Sequence, residues 1–303
     1  MYQKIKDYMY LSRFIYSGSS LFFLAMGLLY IESSTDTNVI SWDKAIISYF
    51  SIMILTWVVY AINNISDRDT DLLNCNDTKD SDFKKNPLLN GNISAKEALI
   101  FISILSILGI SSMLYISSLE TILLCIIAFF ITLFYSTPPL RLKAVPILDL
   151  LFLALSDIAI FIIGMSLANI DIHYFNYWLI ILNIGVFSIA TTIPTVIQDI
   201  KPDESAGLRT TAVFFGEKIS HIITLLTGII SIVLLALLLI NNISIINKII
   251  VSIFLIGSLS LVGEYIYYYF KEQRLVLKSN IGDLYGYGGH LVGLIALVIV
   301  IIN

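Results

Sequence analysis

The sequence has few cysteines and few charged residues, and each scarcity excludes a class of protein. Its 303 residues contain only two cysteines, Cys75 and Cys125, in unrelated surroundings. They exclude a disulfide framework and a cysteine-based metal site. Charged residues make up only 13% of the chain, against about a quarter in typical soluble domains. The composition therefore excludes an ordinary soluble globular protein.

Long hydrophobic runs take the place of the missing charge. The chain is 57% hydrophobic, with a mean hydropathy of +0.88. Runs of about 17 to 25 mostly apolar residues are long enough to cross a bilayer. No cleavage site follows the first run, so we expect it to remain as a span. The sequence predicts an all-α membrane bundle of nine transmembrane helices, one domain over residues 1–303, with spans near 14–31, 45–62, 97–118, 120–137, 147–167, 175–196, 219–240, 244–270 and 282–302.

The basic residues divide unequally between the two sides of this bundle. With nine spans, 16 of the 18 lysines and arginines lie on the side of the N-terminus, and only Lys44 and Lys248 lie on the other. Cytoplasmic loops are enriched in basic residues. We therefore expect a multi-pass protein with its N-terminus and long polar loops in the cytoplasm and its C-terminus on the opposite side.

A polar stretch follows the second span and carries regularly spaced oxygen ligands. Asn63, Asp67 and Asp71 are four residues apart, so a continuing helix presents them on one face. Such oxygen ligands suit Mg²⁺, which takes one or two carboxylates together with water and phosphate oxygens. The same residues are also typical of a solvated loop.

A second acidic pair, Asp199 and Asp203, follows the sixth span on the same predicted side. Two carboxylate clusters repel each other unless divalent ions lie between them, and ions held in this way attract a diphosphate. Basic residues on this rim are candidates to bind the remaining phosphate oxygens and to stabilise departing pyrophosphate. These residues are Lys84, Lys85, Arg141, Lys143, Lys201 and Arg209. The apolar bundle below suits a lipid tail and excludes water, so the sequence predicts a lipid diphosphate as substrate.

Three further polar residues lie within or beside the predicted spans. Asp157 lies eight residues beyond Asp149 in the fifth span, about 12 Å deeper, where an acidic group is a functional candidate by default. A structural partner within the bundle is the alternative for Asp157. Arg13, at the start of the first span, is either a substrate contact or a cation that snorkels to the interface. His290 is interpreted as a packing residue.

Four stretches resemble motifs of the UbiA superfamily of intramembrane prenyltransferases. The first motif matches Asn63, Asp67 and Asp71, with Asn64 where aspartate is common. The second matches Asp199, Asp203 and the following Gly207. Two more stretches match residues 135–143 (YSTPPLRLK) and 85–94 (KNPLLNGNIS), the latter without the usual arginine before proline.

The resemblance implies nine helices around a central cavity and transfer of a prenyl group from a prenyl diphosphate to a lipophilic acceptor. It implies Mg²⁺ as cofactor, held by Asn63, Asp67, Asp71, Asp199 and Asp203. It adds Tyr135 to the expected substrate contacts. We expect the bilayer as surroundings, and neither nucleic acid nor an obligate protein partner.

Two other functions use similar features. A terpene cyclase of the same superfamily ionises the diphosphate with the same metal motifs. An ion or lipid transporter also binds ions through carboxylates, but its site usually lies near the midplane on broken helices, whereas these charges cluster at one face. The DGxxAR-type motif of CDP-alcohol phosphotransferases is absent from the sequence.

Overall fold

The computed structural model describes residues 2–34, 40–68, 71–72, 86–116, 118–168, 175–241, 243–270 and 280–302. Within these ranges every regular element is helical. Lys84 and Lys85 lie outside the described residues. The helices, in chain order, are α1 (Tyr2–Leu11), α2 (Ser17–Glu32), α3 (Trp42–Ser66), α4 (Ala95–Ile116), α5 (Leu119–Ser136), α6 (Leu148–Ser166), α7 (Phe175–Gln198), α8 (Ile200–Ser205), α9 (Thr211–Ile240), α10 (Ile245–Phe270) and α11 (Asn280–Ile302).

The predicted membrane bundle is confirmed. Eight of the described helices are long and apolar enough to cross a bilayer, and α11 adds a ninth long helix with an apolar section, Tyr287–Ile299. The seventh span begins earlier than predicted, since α9 starts at Thr211 and has a break at Gly216, where φ is +79°. Glu217 and Lys218 interrupt the apolar run there, so hydropathy alone placed the start at residue 219.

Two local signals in the sequence fix the ends of neighbouring helices. A capping box opens α4: the Ser94 amide donates to Glu97 at 2.8 Å, and the Glu97 amide donates to the Ser94 hydroxyl at 3.2 Å. The pair Pro138-Pro139 follows the end of α5 at Ser136, as expected for residues that cannot continue a helix.

Helix α2 lies at the centre of the bundle and packs on α3, α6 and α11. Almost all of its side chains are buried. A Cβ on Gly27 would lie 2.1 Å from the Phe161 carbonyl oxygen of α6, and one on Gly289 of α11 would lie 2.0 Å from the Gly18 carbonyl oxygen. Glycine therefore permits the close backbone approach typical of membrane helix pairs.

Candidate active site in a deep cavity

A cavity of about 2060 Å³ lies between α2, α3, α5, α6, α7 and α10. Along α3 its lining runs from Asp67 to Ile52, about 22 Å at 1.5 Å per residue. The deep part is apolar, with side chains such as Phe23, Leu55 and Ile163, and the end near Asp67 is polar. Nine of the predicted site residues line it: Arg13, Asn63, Asp67, Asp71, Tyr135, Lys143, Asp157, Asp199 and Asp203.

The first acidic motif lies at the end of α3, where Asp67 follows the last helical residue. Asp67 is 7% exposed. Its Oδ1 lies 2.5 Å from Lys143 Nζ and 3.3 Å from Arg141 Nη2. The segment between α5 and α6 thus brings two cations to a carboxylate of the first motif. Burial raises the pKa of the Asp71 carboxyl, and the nearby charge of Asp67 raises it further.

The second acidic motif enters the same cavity from the α7 end. Asp199 separates α7 from the short helix α8, and Asp203 lies within α8. Burial raises the pKa of the Asp203 carboxyl, while a hydrogen bond from Thr210 and the nearby Lys143 lower it. Since Lys143 acts on both Asp67 and Asp203, the two motifs face each other.

A buried oxygen of the first motif lacks a hydrogen-bond partner in the part of the chain that the structure describes. The Asn63 Oδ1 atom is buried and makes no hydrogen bond among the described residues. Leaving a buried acceptor unpaired is unfavourable, so its presence beside Asp67 fits a site for a cation ligand. Among the described side chains, no three carboxylate, imidazole or thiol groups converge on one point. These side chains do not supply a complete coordination shell for a metal ion. They fit an ion such as Mg²⁺, which also binds oxygens of the substrate.

A buried hydrogen-bond network holds the wall beside the acidic motifs. Asp149, at the start of α6, accepts from the Thr211 amide at 2.7 Å and from the Thr211 hydroxyl. The same hydroxyl accepts from the Ile147 amide at 2.7 Å. Tyr135 lies within electrostatic range of Asp149 and of three motif aspartates. The network ties the start of α6 to the start of α9 beside the site.

Asn64 connects the N-terminal segment to the first motif. Its Oδ1 accepts from Arg13 Nη2 at 3.0 Å, and its Nδ2 donates to the Leu11 carbonyl at 2.6 Å. An aspartate there would retain only the accepting half of this arrangement. Asn64, where the motif usually has aspartate, thus holds the segment between α1 and α2 in place and positions Arg13.

Asp157 lies deeper in the cavity, on α6. Its Oδ2 accepts from the Ser188 hydroxyl of α7 at 2.6 Å, so a structural partner exists. It also lines the cavity and lies within electrostatic range of Tyr60. His290, which we predicted as a packing residue, stacks on Phe14 with ring centroids 5.7 Å apart.

The remaining predicted substrate contacts differ in position. Arg141 contacts Asp67 without lining the cavity. Lys201 is exposed on α8, and Arg209 lies over the Phe214 ring at 5.4 Å. Neither is among the cavity-lining residues.

Sequence reasoning missed Glu264 and Tyr265, which line the cavity from α10. Glu264 is the one acidic residue in the predicted eighth span. An acidic residue within a predicted span is the same signal that made Asp157 a candidate, and it could have identified Glu264 as well.

Comparisons with known proteins agree with this architecture. A UbiA homologue from Archaeoglobus fulgidus bound to DMAPP and Mg²⁺ is 24% identical, with a TM-score of 0.80 and coverage of 97% of this chain and 99% of that chain. Its complex with GPP and Mg²⁺ gives 23% identity, a TM-score of 0.80 and coverage of 98% and 100%. A digeranylgeranylglyceryl phosphate synthase is 18% identical, with a TM-score of 0.64 and coverage of 99% and 100%.

These structural similarities show the fold, and the comparison with sequence families identifies the family. No curated protein sequence matches the chain. The profile of the UbiA prenyltransferase family, however, matches residues 2–277, nearly the whole chain. The chain is therefore an integral membrane protein that belongs to the UbiA prenyltransferase family.

Proposed function

We propose that the protein transfers a prenyl group from a prenyl diphosphate to a lipophilic acceptor and releases diphosphate, with Mg²⁺ as cofactor. The observation that carries this proposal is one cavity that joins both acidic motifs to an apolar interior about 22 Å deep. The polar end suits a diphosphate, and the deep end suits a prenyl tail. The Archaeoglobus fulgidus homologue, which binds DMAPP or GPP together with Mg²⁺, supports the same assignment.

The side chains that would hold Mg²⁺ are Asn63, Asp67, Asp71, Asp199 and Asp203. The unpaired Asn63 oxygen and the raised pKa values of Asp71 and Asp203 indicate a site that gains from a nearby cation. Bound Mg²⁺ supplies positive charge against the diphosphate as the bond to the prenyl carbon breaks.

The cations near Asp67 have a second role in this proposal. Lys143 and Arg141 reach Asp67, and Arg13 is held by Asn64 at the same end of the cavity. They would bind diphosphate oxygens and stabilise the leaving group. Lys201 and Arg209 remain proposed contacts for a bound diphosphate, as do Lys84 and Lys85, which lie outside the described residues.

Asp157 would act next to the prenyl chain and away from the diphosphate. A carboxylate at this depth can stabilise positive charge on the allylic carbon or accept the proton released by the acceptor. Tyr135, placed among the carboxylates, would line the path between the diphosphate and the chain. Water is excluded by the apolar wall, which protects a cationic intermediate.

The test is product formation by the purified protein in nanodiscs, with Mg²⁺, prenyl diphosphates of several lengths and a lipid extract as acceptor source. We expect diphosphate release and prenylated lipids by mass spectrometry, both lost in a chelator and restored by Mg²⁺. Asp67→Ala and Asp199→Ala should each reduce turnover by orders of magnitude while the protein remains monodisperse. Full activity in the chelator would refute the metal assignment, and cyclic hydrocarbons as the products would instead identify a cyclase.

A further inference from the structure

The segment that joins α1 to α2 holds Arg13 in an uncommon backbone conformation. Arg13 has φ +45° and ψ +49°, in the left-handed region. A residue with a side chain rarely adopts this conformation, which persists only where the surroundings hold it. Arg13 lines the cavity within electrostatic range of Asp71. The position of its guanidinium group therefore depends on the contacts that fix this segment.

Phe14, the next residue, is held between two helices that are distant in the sequence. Its ring centroid lies 5.1 Å from that of Trp57 on α3 and 5.7 Å from that of His290 on α11, and the planes of Phe14 and His290 are 18° apart. On the other side of Arg13, Asn64 of α3 fixes the Leu11 carbonyl. The chain is thus held both before and after Arg13.

A hydrogen-bond cluster surrounds the backbone of Phe14. The Ser17 hydroxyl donates to the Phe14 carbonyl oxygen at 2.7 Å, and Trp57 Nε1 donates to Ser17 Oγ at 3.1 Å. His290 Nε2 lies 3.4 Å from the Phe14 carbonyl oxygen and 3.4 Å from Ser17 Oγ. Because the hydroxyl hydrogen of Ser17 is engaged, both neighbours of Nε2 are acceptors, and this assigns a hydrogen to Nε2. His290 therefore donates to the turn that follows Arg13.

The helices that carry these two side chains are themselves fixed at this level. A Cβ on Gly289, beside His290, would overlap the Gly18 carbonyl oxygen, so the backbones of α11 and α2 are in direct contact. Trp57 belongs to α3, which ends at the first motif. The cluster therefore ties the start of α2 to α3 and to α11 at the same time.

We propose that His290 and Trp57 are positioning residues for Arg13: they fix Phe14 and the turn after it, and so hold the guanidinium group where it meets the diphosphate. This inference rests on the proposed function, in which Arg13 binds the diphosphate, and adds the residues that place it. Without the His290 contacts the turn is free to leave the left-handed conformation, which moves the guanidinium group away from the first motif. His290 then contributes to donor binding only through Arg13.

The test is a double-mutant cycle on donor binding. Binding of an unreactive prenyl thiodiphosphate is measured with Mg²⁺ and the protein in nanodiscs, for the wild type, His290→Ala, Arg13→Ala and the double variant. We expect His290→Ala to weaken binding about tenfold, and Arg13→Ala to weaken it at least as much. The double variant should bind no more weakly than Arg13→Ala alone, because both losses pass through the same guanidinium group.

Two further variants separate positioning from a general effect on the fold. His290→Gln keeps a nitrogen donor near the place of Nε2 and should bind within about threefold of the wild type. His221→Ala is the matched control, because His221 also lies within a helix and beside an aromatic ring, that of Tyr265. It belongs to α9, of which no described residue lines the cavity, and its substitution should leave binding unchanged.

Trp57→Phe keeps an aromatic ring beside Phe14 and removes the indole donor, so it enters the same cycle if His290→Ala does not remain monodisperse. It should weaken binding severalfold in the wild type and not in Arg13→Ala. An equal loss with and without Arg13, unchanged binding in His290→Ala and Trp57→Phe, or unchanged binding in Arg13→Ala would overturn the proposal while leaving the proposed transfer intact. Absence of Mg²⁺-dependent thiodiphosphate binding by the wild type would instead contradict the proposed function.

Discussion

At the scale of single residues, Lys143 is the cation most closely associated with both acidic motifs. It contacts Asp67 at 2.5 Å, and its charge opposes the rise that burial causes in the pKa of Asp203. Charge-assisted contacts of this kind are stronger than neutral ones. A lysine also has a flexible stem that can move from a carboxylate to a phosphate oxygen. The site therefore contains a cation positioned for the diphosphate beside its proposed metal ligands.

Substituting Lys143 tests this position. We expect Lys143→Met to raise the KM for prenyl diphosphate about tenfold, which corresponds to the loss of one charge-assisted contact of about 1.4 kcal/mol. Steady-state kinetics with varied prenyl diphosphate measure the change. Lys218→Met is the matched control, because Lys218 of α9 is exposed and does not line the cavity. Equal effects of the two substitutions would contradict the central role of Lys143.

Asp157 has a structural contact and a catalytic position, and two substitutions separate these roles. Ser188→Ala removes its hydrogen bond of 2.6 Å but keeps the carboxylate, whereas Asp157→Asn keeps a hydrogen-bond acceptor but removes the charge. If the carboxylate acts in the reaction, we expect Asp157→Asn to lower kcat at least a hundredfold with prenyl diphosphate binding unchanged. Ser188→Ala should then retain most of the activity. Near-normal product yield from Asp157→Asn would exclude the catalytic role.

At the scale of helices, close packing of α2 positions the cavity walls. The crossing of α2 and α6 depends on Gly27, since a Cβ there would overlap the Phe161 carbonyl oxygen. Phe22, Phe23 and Ser20 of α2 line the cavity, as do Asp149 and Asp157 of α6. A shift of this crossing would therefore move two walls of the site.

Gly27→Ala tests the contribution of this crossing to stability. Overlap with backbone atoms cannot be relieved by a side-chain rotation, so we expect a loss of roughly 1–3 kcal/mol. The midpoint of thermal unfolding in detergent should fall by several degrees. Gly263→Ala, also within a helix, is the control because its Cβ would meet no other described part of the molecule within 4 Å beyond the local backbone of its own helix. An equal effect of the control would show that helix propensity, and not the crossing, determines the outcome.

At the scale of the whole molecule, the sequence predicted the helical bundle and nine residues that line the candidate site, because both depend on local patterns. Apolar runs identify spans, and the four-residue spacing of Asp67 with Asp71 and of Asp199 with Asp203 identifies the acidic ends. The pairing of Asp149 with Thr211 and of Asp157 with Ser188 joins residues 62 and 31 positions apart. No local pattern specifies such contacts, and the face of α10 toward the cavity depends on helix packing in the same way.

The last prediction concerns the orientation of the whole bundle in the membrane. The 16-to-2 division of basic residues leads us to expect the acidic motifs in the cytoplasm. In a chain without Cys75 and Cys125, Ser205→Cys in α8 should react with an impermeant maleimide only after the membrane is opened. Glu120→Cys, in the first turn of α5, should react in intact cells, since an odd number of spans separates the two residues. Both positions are exposed, so accessibility does not limit labelling. The reverse pattern would place the motifs outside the cytoplasm and contradict the charge argument.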